Sequence, residues 1–236
     1  MAGFGEKGLM KAITFSFDDG ITQDIRMIEL MNKYGIKSTF NINSALLGRR
    51  GILQREGKRI SHYKLHPEDV QSVYDGHEIA VHTLTHPNLT TLDKNEIIRQ
   101  VEDDRLRLSE LAGYEVIGMA YPCGGVNNDD RVADIIRNNT GVRYSRTITL
   151  SESLDRQSNL FRFDPYEYVL NFDRLMQKGE KFVSMKPDKE KIFYVWGHAY
   201  EMDYRPDNWM KLEEFFKLIA GKDDIFYGTN KEILLA

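Results

Sequence analysis

Cysteine is almost missing from this chain, and its scarcity already excludes several kinds of protein. Cys123 is the single cysteine among 236 residues, so neither an intramolecular disulfide framework nor a cysteine-rich zinc site can form. The sequence also lacks repeats, low-complexity tracts and proline-rich linkers. No apolar run approaches the roughly 18 residues of a membrane-spanning helix. We therefore expect one globular domain over residues 1–236.

An excess of either charge is missing as well. The chain has 32 basic and 36 acidic residues, a net charge of −4. Proteins that bind nucleic acids usually carry a basic stripe, so we predict no nucleic-acid partner and no membrane partner. The residues after Met1 lack the apolar core of a signal peptide. If Met1 is the natural start, a cytoplasmic protein is predicted; the oligomeric state stays open.

Short runs of strand-forming residues alternate with helical patterns along the chain. Strands are predicted at 12–17, 38–43, 78–81, 116–120, 142–144, 160–163 and 192–196, with a last apolar run at 225–227. Helices are predicted at 24–34, 67–75, 93–112, 129–138 and 209–220. The segment 45–65 reads as an irregular, solvated basic loop. The alternation predicts a mainly parallel α/β sheet, and the number of units favours a (β/α) barrel.

Four polar clusters directly follow predicted strands. They are Asp18-Asp19-Gly20, His82-Thr83-Leu84-Thr85-His86, Tyr121-Pro122-Cys123-Gly124-Gly125 and Gly197-His198. Functional residues of such barrels gather at the C-terminal ends of the strands. We therefore expect all four clusters on one rim.

The first two clusters have the residue types of a catalytic metal site. Adjacent carboxylates at a strand end point in different directions, so of Asp18 and Asp19 one can bind a metal while the other acts as a base. A plain turn is the alternative. His82 and His86 have the i, i+4 spacing of metal-binding histidines, although surface or capping histidines would share it. Three protein ligands with open positions are typical of catalytic sites.

The other two clusters supply candidates for proton transfer and for oxyanion binding. His198 is a candidate proton donor, and a packed histidine is the alternative. Cys123 is a possible nucleophile, but a glycine-rich loop serves more simply as a source of backbone N–H groups. An aromatic side chain such as Trp196 suits a sugar ring or an acetyl methyl group. The remaining histidines are expected to be structural or exposed: His62, His66 and His77.

In this order the motifs resemble those of the polysaccharide deacetylases of carbohydrate esterase family four, the NodB-homology group. The matching strings are Ser16-Phe17-Asp18-Asp19-Gly20, His82-Thr83-Leu84-Thr85-His86, Ala120-Tyr121-Pro122-Cys123-Gly124 and Trp196-Gly197-His198. Each motif is weak alone, but the ordered set is specific, and it spans about residues 13–198. The resemblance implies a distorted (β/α) barrel of about seven strands.

The resemblance also implies a role for each matching residue. Asp18 would be the general base and His198 the general acid. The implied metal ligands are Asp19, His82 and His86. Substrate would meet the loop residues Tyr121 and Cys123, the latter through its oxyanion-binding N–H, and the acetyl pocket residue Trp196. Zinc is the predicted divalent ion; cobalt, nickel and manganese accept the same ligands.

Two departures from the family pattern bear on these roles. Many members have an arginine two residues before the motif proline, where it holds the base; here that position is Ala120. Arg162 is our candidate for its replacement. The aspartate and tryptophan of the fourth family motif have no clear match, and Asp164 is our candidate for orienting His198.

The predicted activity is metal-dependent removal of N- or O-linked acetyl groups from a carbohydrate, in particular an oligosaccharide. The predicted partner is therefore an acetylated carbohydrate, and the missing export signal favours a small or imported one. One alternative is a hydrolase of the same fold that acts on a small non-sugar amide or cyclic imide. A second is a homologue that binds carbohydrate without catalysis.

Overall fold

The computed structural model describes residues 4, 8–55 and 57–236. Its strands are β1 (Lys11–Asp18), β2 (Thr39–Ile42), β3 (Arg50–Arg55), β4 (Lys58–Tyr63), β5 (Glu78–Val81), β6 (Gly118–Ala120), β7 (Tyr144–Arg146), β8 (Glu167–Tyr168), β9 (Lys191–Gly197) and β10 (Ile225–Tyr227). Its α-helices are α1 (Gln23–Lys33), α2 (Val70–Val73), α3 (Lys94–Ile98), α4 (Asp104–Ala112), α5 (Asp130–Asn139), α6 (Phe172–Ser184), α7 (Asn208–Ile219) and α8 (Asn230–Leu234). A π-helical turn, Arg99–Asp103, joins α3 to α4.

The main sheet has the order β7-β6-β5-β2-β1-β9-β8, and β10 pairs with the beginning of β1. All pairings in this sheet are parallel. Its ends approach each other through the segment 163–168, because Phe163 bridges to Arg146 while β8 pairs with β9. The predicted barrel of about seven strands is confirmed.

The lateral pairing differs around the barrel. β1 and β9 run side by side from the Lys11–Lys191 pair to the Phe17–Gly197 pair. β5 and β6, in contrast, share only the register pair of Val81 with Met119. One side of the barrel is therefore paired along its length and the other side only over short stretches.

Alternation along β1 separates an outer apolar face from a polar interior. Phe15 packs edge-on against Phe216 of α7, with ring centroids 5.4 Å apart. Thr14 instead donates to Oδ1 of Asn230 at 2.7 Å, and the Ser16 hydroxyl accepts a bond from Asn41. Because successive side chains of a strand point to opposite faces, Asp18 at the end of β1 also points into the barrel.

Most predicted elements are present, and three differences have physical causes. The segment 45–65 contains the antiparallel hairpin β3–β4, whose glycines and many charges hide its alternation. The strand predicted at 160–163 is a 3₁₀ turn followed by a single bridge at Phe163. Helix α6 was not predicted, because Gly179 interrupts its helical pattern. None of the described helices is long and apolar enough to cross a membrane.

Candidate active site

The three predicted metal ligands lie together on the rim at the carboxyl ends of β1 and β5. One ligand atom from each of Asp19, His82 and His86 lies within 4.8 Å of the other two. Asp19 is buried and follows β1, while His82 is buried and follows β5. The sequence prediction that these three side chains meet is consistent with this geometry.

Unusual backbone conformations are concentrated at this rim. Among the described residues, the non-glycine positions with positive φ are Asp19 (89°), Thr83 (68°), His86 (63°) and Cys123 (71°). A left-handed conformation costs a residue with a side chain about 1–2 kcal/mol. Such strain typically persists where the surroundings fix a functional geometry. At Asp19 the positive φ ends the extended geometry of β1 where the carboxylate joins the imidazoles of His82 and His86 in the cluster.

His82 presents one specific nitrogen to the cluster. Its Nδ1 lies 2.9 Å from the carbonyl oxygen of Ala120, which can only accept, so Nδ1 donates and Nε2 keeps its lone pair. Burial lowers the pKa of His82 to about 4, and the ring is therefore neutral at pH 7. The Asp104 carboxylate accepts a bond from the His82 backbone N–H at 3.2 Å. A neutral, oriented imidazole of this kind fits a divalent metal.

Two residues of the hairpin segment contact Asp19. Nε2 of His62 lies 3.0 Å from Asp19 Oδ2. The Lys64 ammonium donates to the Asp19 carbonyl oxygen at 2.6 Å and lies 3.3 Å from Oδ1. His62, which was expected to be structural or exposed, thus contacts a predicted metal ligand. Sequence reasoning missed both residues because it treated 45–65 as a loop.

Asp18 is held by an arginine, but not by the predicted one. Nη2 of the fully buried Arg146 lies 2.6 Å and 2.5 Å from the two carboxylate oxygens of Asp18. Asn41 also donates to Asp18 Oδ1, at 2.8 Å. Burial alone would raise the pKa of Asp18, but the positive charge of Arg146, with His82 and His198, lowers it. The Asp18 carboxylate is therefore charged and oriented.

Arg162 lies elsewhere, and the prediction that it holds Asp18 is wrong. Its guanidinium bonds to Asn128 at 2.8 Å and to Asp130 at 2.7 Å, near the surface. Arg146 is the register partner of Ala120 on the adjacent strand. Register partners in a parallel pair lie side by side on one face, so the arginine occupies the strand next to the family position. The small side chain of Ala120 leaves room for it.

His198 is paired with Glu201 and not with Asp164, so that prediction is also wrong. Nδ1 of His198 lies 3.1 Å from Glu201 Oε1, and the His198 backbone N–H donates to Oε2 at 2.9 Å. Asp164 accepts instead from the Thr147 hydroxyl. Burial lowers the pKa of His198, but the negative charges of Glu201 and the two aspartates outweigh it and raise the pKa to about 9. The imidazole is therefore protonated on both nitrogens and positively charged at pH 7.

The loop after β6 offers backbone groups and a protonated thiol. The Asn127 side-chain amide donates to the carbonyls of Pro122 and Cys123, at 3.0 Å and 2.7 Å, which fixes the turn. Within the described chain, the Cys123 amide meets no acceptor. Burial, with the charge of Asp19, raises the pKa of the Cys123 thiol, which argues against a thiolate nucleophile.

The aromatic candidates divide between core and site. Tyr121 is 1% exposed, and its hydroxyl donates to the Phe161 carbonyl at 2.8 Å. The prediction that Tyr121 binds substrate is therefore wrong for its side chain, which anchors the loop. Trp196 is half-buried between Arg146 and Tyr168, at 4.8 Å and 5.0 Å, and its ring centroid is 6.0 Å from that of His198. Of the two candidates, Trp196 is the one beside His198, whose ring also lies 4.9 Å from that of Tyr200.

Comparison with known proteins places this site in a family context. The profile described as polysaccharide deacetylase matches residues 6–144, more than half of the chain. A curated relative, the peptidoglycan-N-acetylmuramic acid deacetylase of Bacillus subtilis, is 27% identical over 124 residues. That match covers 51% of this chain but only 23% of the relative. The matched half of this chain therefore corresponds to about a quarter of that protein.

Solved structures share the fold over most of the chain. A putative polysaccharide deacetylase from Mycobacterium smegmatis aligns with a TM-score of 0.67 at 17% identity, covering 97% of this chain and 90% of its own. A family 4 carbohydrate esterase pseudoenzyme from Bacillus anthracis aligns with a TM-score of 0.53 at 17% identity, covering 95% and 66%. These likenesses concern the fold alone, and one of the two proteins is a pseudoenzyme.

Proposed function

Because the chain belongs to the polysaccharide deacetylase family, we propose that it is a metal-dependent hydrolase that removes acetyl groups from a carbohydrate. The observation that carries the proposal is the cluster of Asp19, His82 and His86, whose ligand atoms lie within 4.8 Å of one another. A charged Asp18 and a protonated His198 lie close enough to influence each other electrostatically. Base, acid and ligand set thus share one rim.

The three clustered side chains would hold the metal. A divalent ion bound there would lower the pKa of a bound water to about 7 and polarise the acetyl carbonyl group. The set contains one carboxylate and two imidazoles, which suit zinc and also cobalt, nickel or manganese. We propose zinc.

Asp18 and His198 divide the proton transfers. Asp18 is held as a carboxylate by Arg146 and takes the proton of the attacking water as the new C–O bond forms. The resulting oxyanion accepts a hydrogen bond from the Cys123 N–H. His198 then gives its proton to the leaving group, the nitrogen of an amine or the oxygen of an alcohol, as the bond to the acetyl carbon breaks. Glu201 keeps His198 charged before transfer.

An acetylated carbohydrate is the proposed substrate. The B. subtilis relative is named for an acetylated sugar of peptidoglycan, which favours an acetylated carbohydrate here. Trp196, beside His198, offers an apolar surface for the acetyl methyl group. An oligosaccharide substrate and a cytoplasmic location are part of the proposal.

A substrate panel with controlled metal content tests the proposal. The metal-loaded protein is incubated with N- and O-acetylated oligosaccharides and, separately, with cyclic imides and ureides. We expect acetate release that a chelator abolishes and the removed ion restores. Ring opening of imides without acetate release would favour the small-amide alternative. Sugar binding with no hydrolysis in either panel would favour the non-catalytic alternative.

A further inference from the structure

A groove opens directly beside the metal cluster. It has a volume of about 460 Å³, and Asp19 and His86 form part of its wall. The facing wall comes from the hairpin segment and includes Arg49, Arg50 and Arg55. A substrate whose acetyl group reaches the cluster would thus have part of its body against the hairpin.

The hairpin is fixed in place by backbone pairing. The Thr22 N–H donates to the Tyr63 carbonyl at 2.8 Å, and the Leu65 N–H to the Gly20 carbonyl at 3.0 Å. The Gly48 N–H donates to the Leu65 carbonyl at 2.8 Å. The first two bonds tie the C-terminal end of the hairpin to the loop that carries Asp19, and the third ties the N-terminal end to Leu65. The wall is therefore a built part of the site.

Strand alternation directs particular side chains toward the groove. Gly51 lies opposite His62 in the register, and His62 contacts Asp19, so this pair marks the groove face. Arg49 and Arg55 stand two and four residues from Gly51 and share its face. Arg59 pairs with Gln54 and lies on the opposite face. Gly51 has no side chain to block the space between the arginines.

The charge of this wall is unbalanced. The segment 49–64 contains six basic residues and one acidic residue, which leaves 26 basic and 35 acidic residues elsewhere. No carboxylate of a described residue forms an ion pair with Arg49 or Arg50. Arg55 donates to the Gln54 carbonyl at 3.0 Å, and no carboxylate of a described residue forms an ion pair with it either. An acidic protein thus places its most concentrated positive charge at the mouth of the site.

We propose that the substrate is anionic: the acetylated sugar carries a carboxylate or a phosphate that Arg49 binds, with Arg55 contributing, in the groove beside Asp19 and His86. The proposal rests on the proposed function and specifies its substrate class. Arginine suits either anion, because its planar guanidinium can donate two parallel hydrogen bonds to neighbouring oxygens. The arginines here are binding residues and take no part in proton transfer.

Matched probes that differ in charge test this inference. We would compare kcat/KM for N-acetylglucosamine, its 6-phosphate and N-acetylmuramic acid, which carries a carboxylate. We expect at least one charged probe to exceed the neutral one by about tenfold, as one charge-assisted hydrogen bond can supply. In Arg49→Ala that advantage should disappear, mainly through KM. Added salt should reduce it in the wild type.

Arg59→Ala is the matched control, since it removes the same charge from the opposite face of the hairpin. It should leave the preference for the charged probe within about twofold. Equal kcat/KM values for neutral and charged probes, or equal effects of the two substitutions, would overturn the inference while leaving deacetylation intact. If neither these probes nor the acetylated oligosaccharides release acetate, the proposed function fails. Calorimetric binding of the deacetylated charged and neutral sugars then decides the anion site separately.

Discussion

Arg146 reaches across the barrel interior to hold both carboxylate oxygens of Asp18, at 2.6 Å and 2.5 Å. The two residues stand on β7 and β1, between which β6, β5 and β2 intervene in the sheet. Both side chains are buried. A buried charge is tolerated only with such a partner. The pair therefore orients the proposed base and also links β7 to β1 across the barrel interior.

Removing Arg146 should damage both activity and stability. Arg146→Ala leaves Asp18 buried without its partner, and we expect kcat/KM to fall by about 10²-fold or more. The free energy of unfolding at pH 7 should fall by about 3–5 kcal/mol. Because the pKa of Asp18 would rise, the acidic limb of the pH–rate profile should move to higher pH. Acetate-release kinetics and urea unfolding measure these effects.

The register of β6 and β7 suggests a second variant that should restore the activity lost in Arg146→Ala. In the double variant Ala120→Arg/Arg146→Ala, the arginine returns to the neighbouring strand at the same level. We expect it to recover at least about tenfold of the lost activity. Arg162→Ala removes a surface ion pair with Asp130 and a hydrogen bond to Asn128, and it should change activity little. A large loss in Arg162→Ala would contradict the assignment of Arg146.

The metal ligands can be tested without relying on catalysis. Asp19→Asn and His82→Ala should each reduce the bound metal found by elemental analysis. Acetate release should fall by about 10³-fold, since the ion contributes several kcal/mol of transition-state stabilisation. His66→Ala, at an exposed position outside the cluster, is the control. Full metal content in His82→Ala would remove His82 from the ligand set.

Glu201 should set the alkaline limit of activity. His198 has a pKa of about 9 and serves as an acid only below it, because the charge of Glu201 and of the aspartates opposes the effect of burial. Glu201→Gln removes one negative charge, so the pKa falls and the alkaline limb moves to lower pH, by about one unit or more. The loss of activity should therefore be larger at pH 8 than at pH 6.

Asp164→Asn provides the comparison for Glu201. The Asp164 carboxylate accepts from the Thr147 hydroxyl, and the Asp164 backbone N–H donates to Gln157 Oε1 at 2.9 Å. The Asp164 side chain does not contact His198. Its substitution should leave the alkaline limb unmoved. If both substitutions moved the limb equally, the pairing of His198 with Glu201 would not be what holds the proton.

Replacing Gly179 should destabilise the protein even when the new residue is alanine, the best helix former. A Cβ at this position of α6 would lie 2.7 Å from Cε2 of Phe215. Alanine gains about 1 kcal/mol of helix propensity over glycine, whereas overpacking costs about 1–3 kcal/mol. We expect Gly179→Ala to lower the free energy of unfolding by about 1 kcal/mol. The exposed Lys181→Ala, measured by the same denaturant titration, should be nearly neutral.

The sequence was informative about the fold where pattern and packing agree. β1 is buried on both faces, and its strand-forming run predicted it to within a residue at each end. α6 was missed because the glycine that allows close packing against α7 also weakens the helical pattern. The hairpin was missed because its apolar residues are few and its faces are both charged.

The site residues that belong to sequence motifs were predictable, but the contacts between residues on different strands were not. The motifs identified Asp18, Asp19, His82, His86 and His198, because each follows a strand. Arg146 could not be found, since its role depends on which residue of β7 lies beside Ala120. Glu201 could have been found, because it stands three residues after His198 at the start of a turn.

The uneven pairing around the barrel divides the rim into a firm and a loose half. Asp18, Asp19 and His198 end the strands β1 and β9, which pair along their whole length. Cys123 and Arg146 belong to the β6–β7 side, where β5 and β6 share a single register pair. Local opening follows such differences in backbone bonding. Amide hydrogens of β1 and β9 should therefore exchange with solvent last. The β6–β7 side, which carries the proposed oxyanion donor, can change conformation when substrate binds, while the β1–β9 side stays fixed.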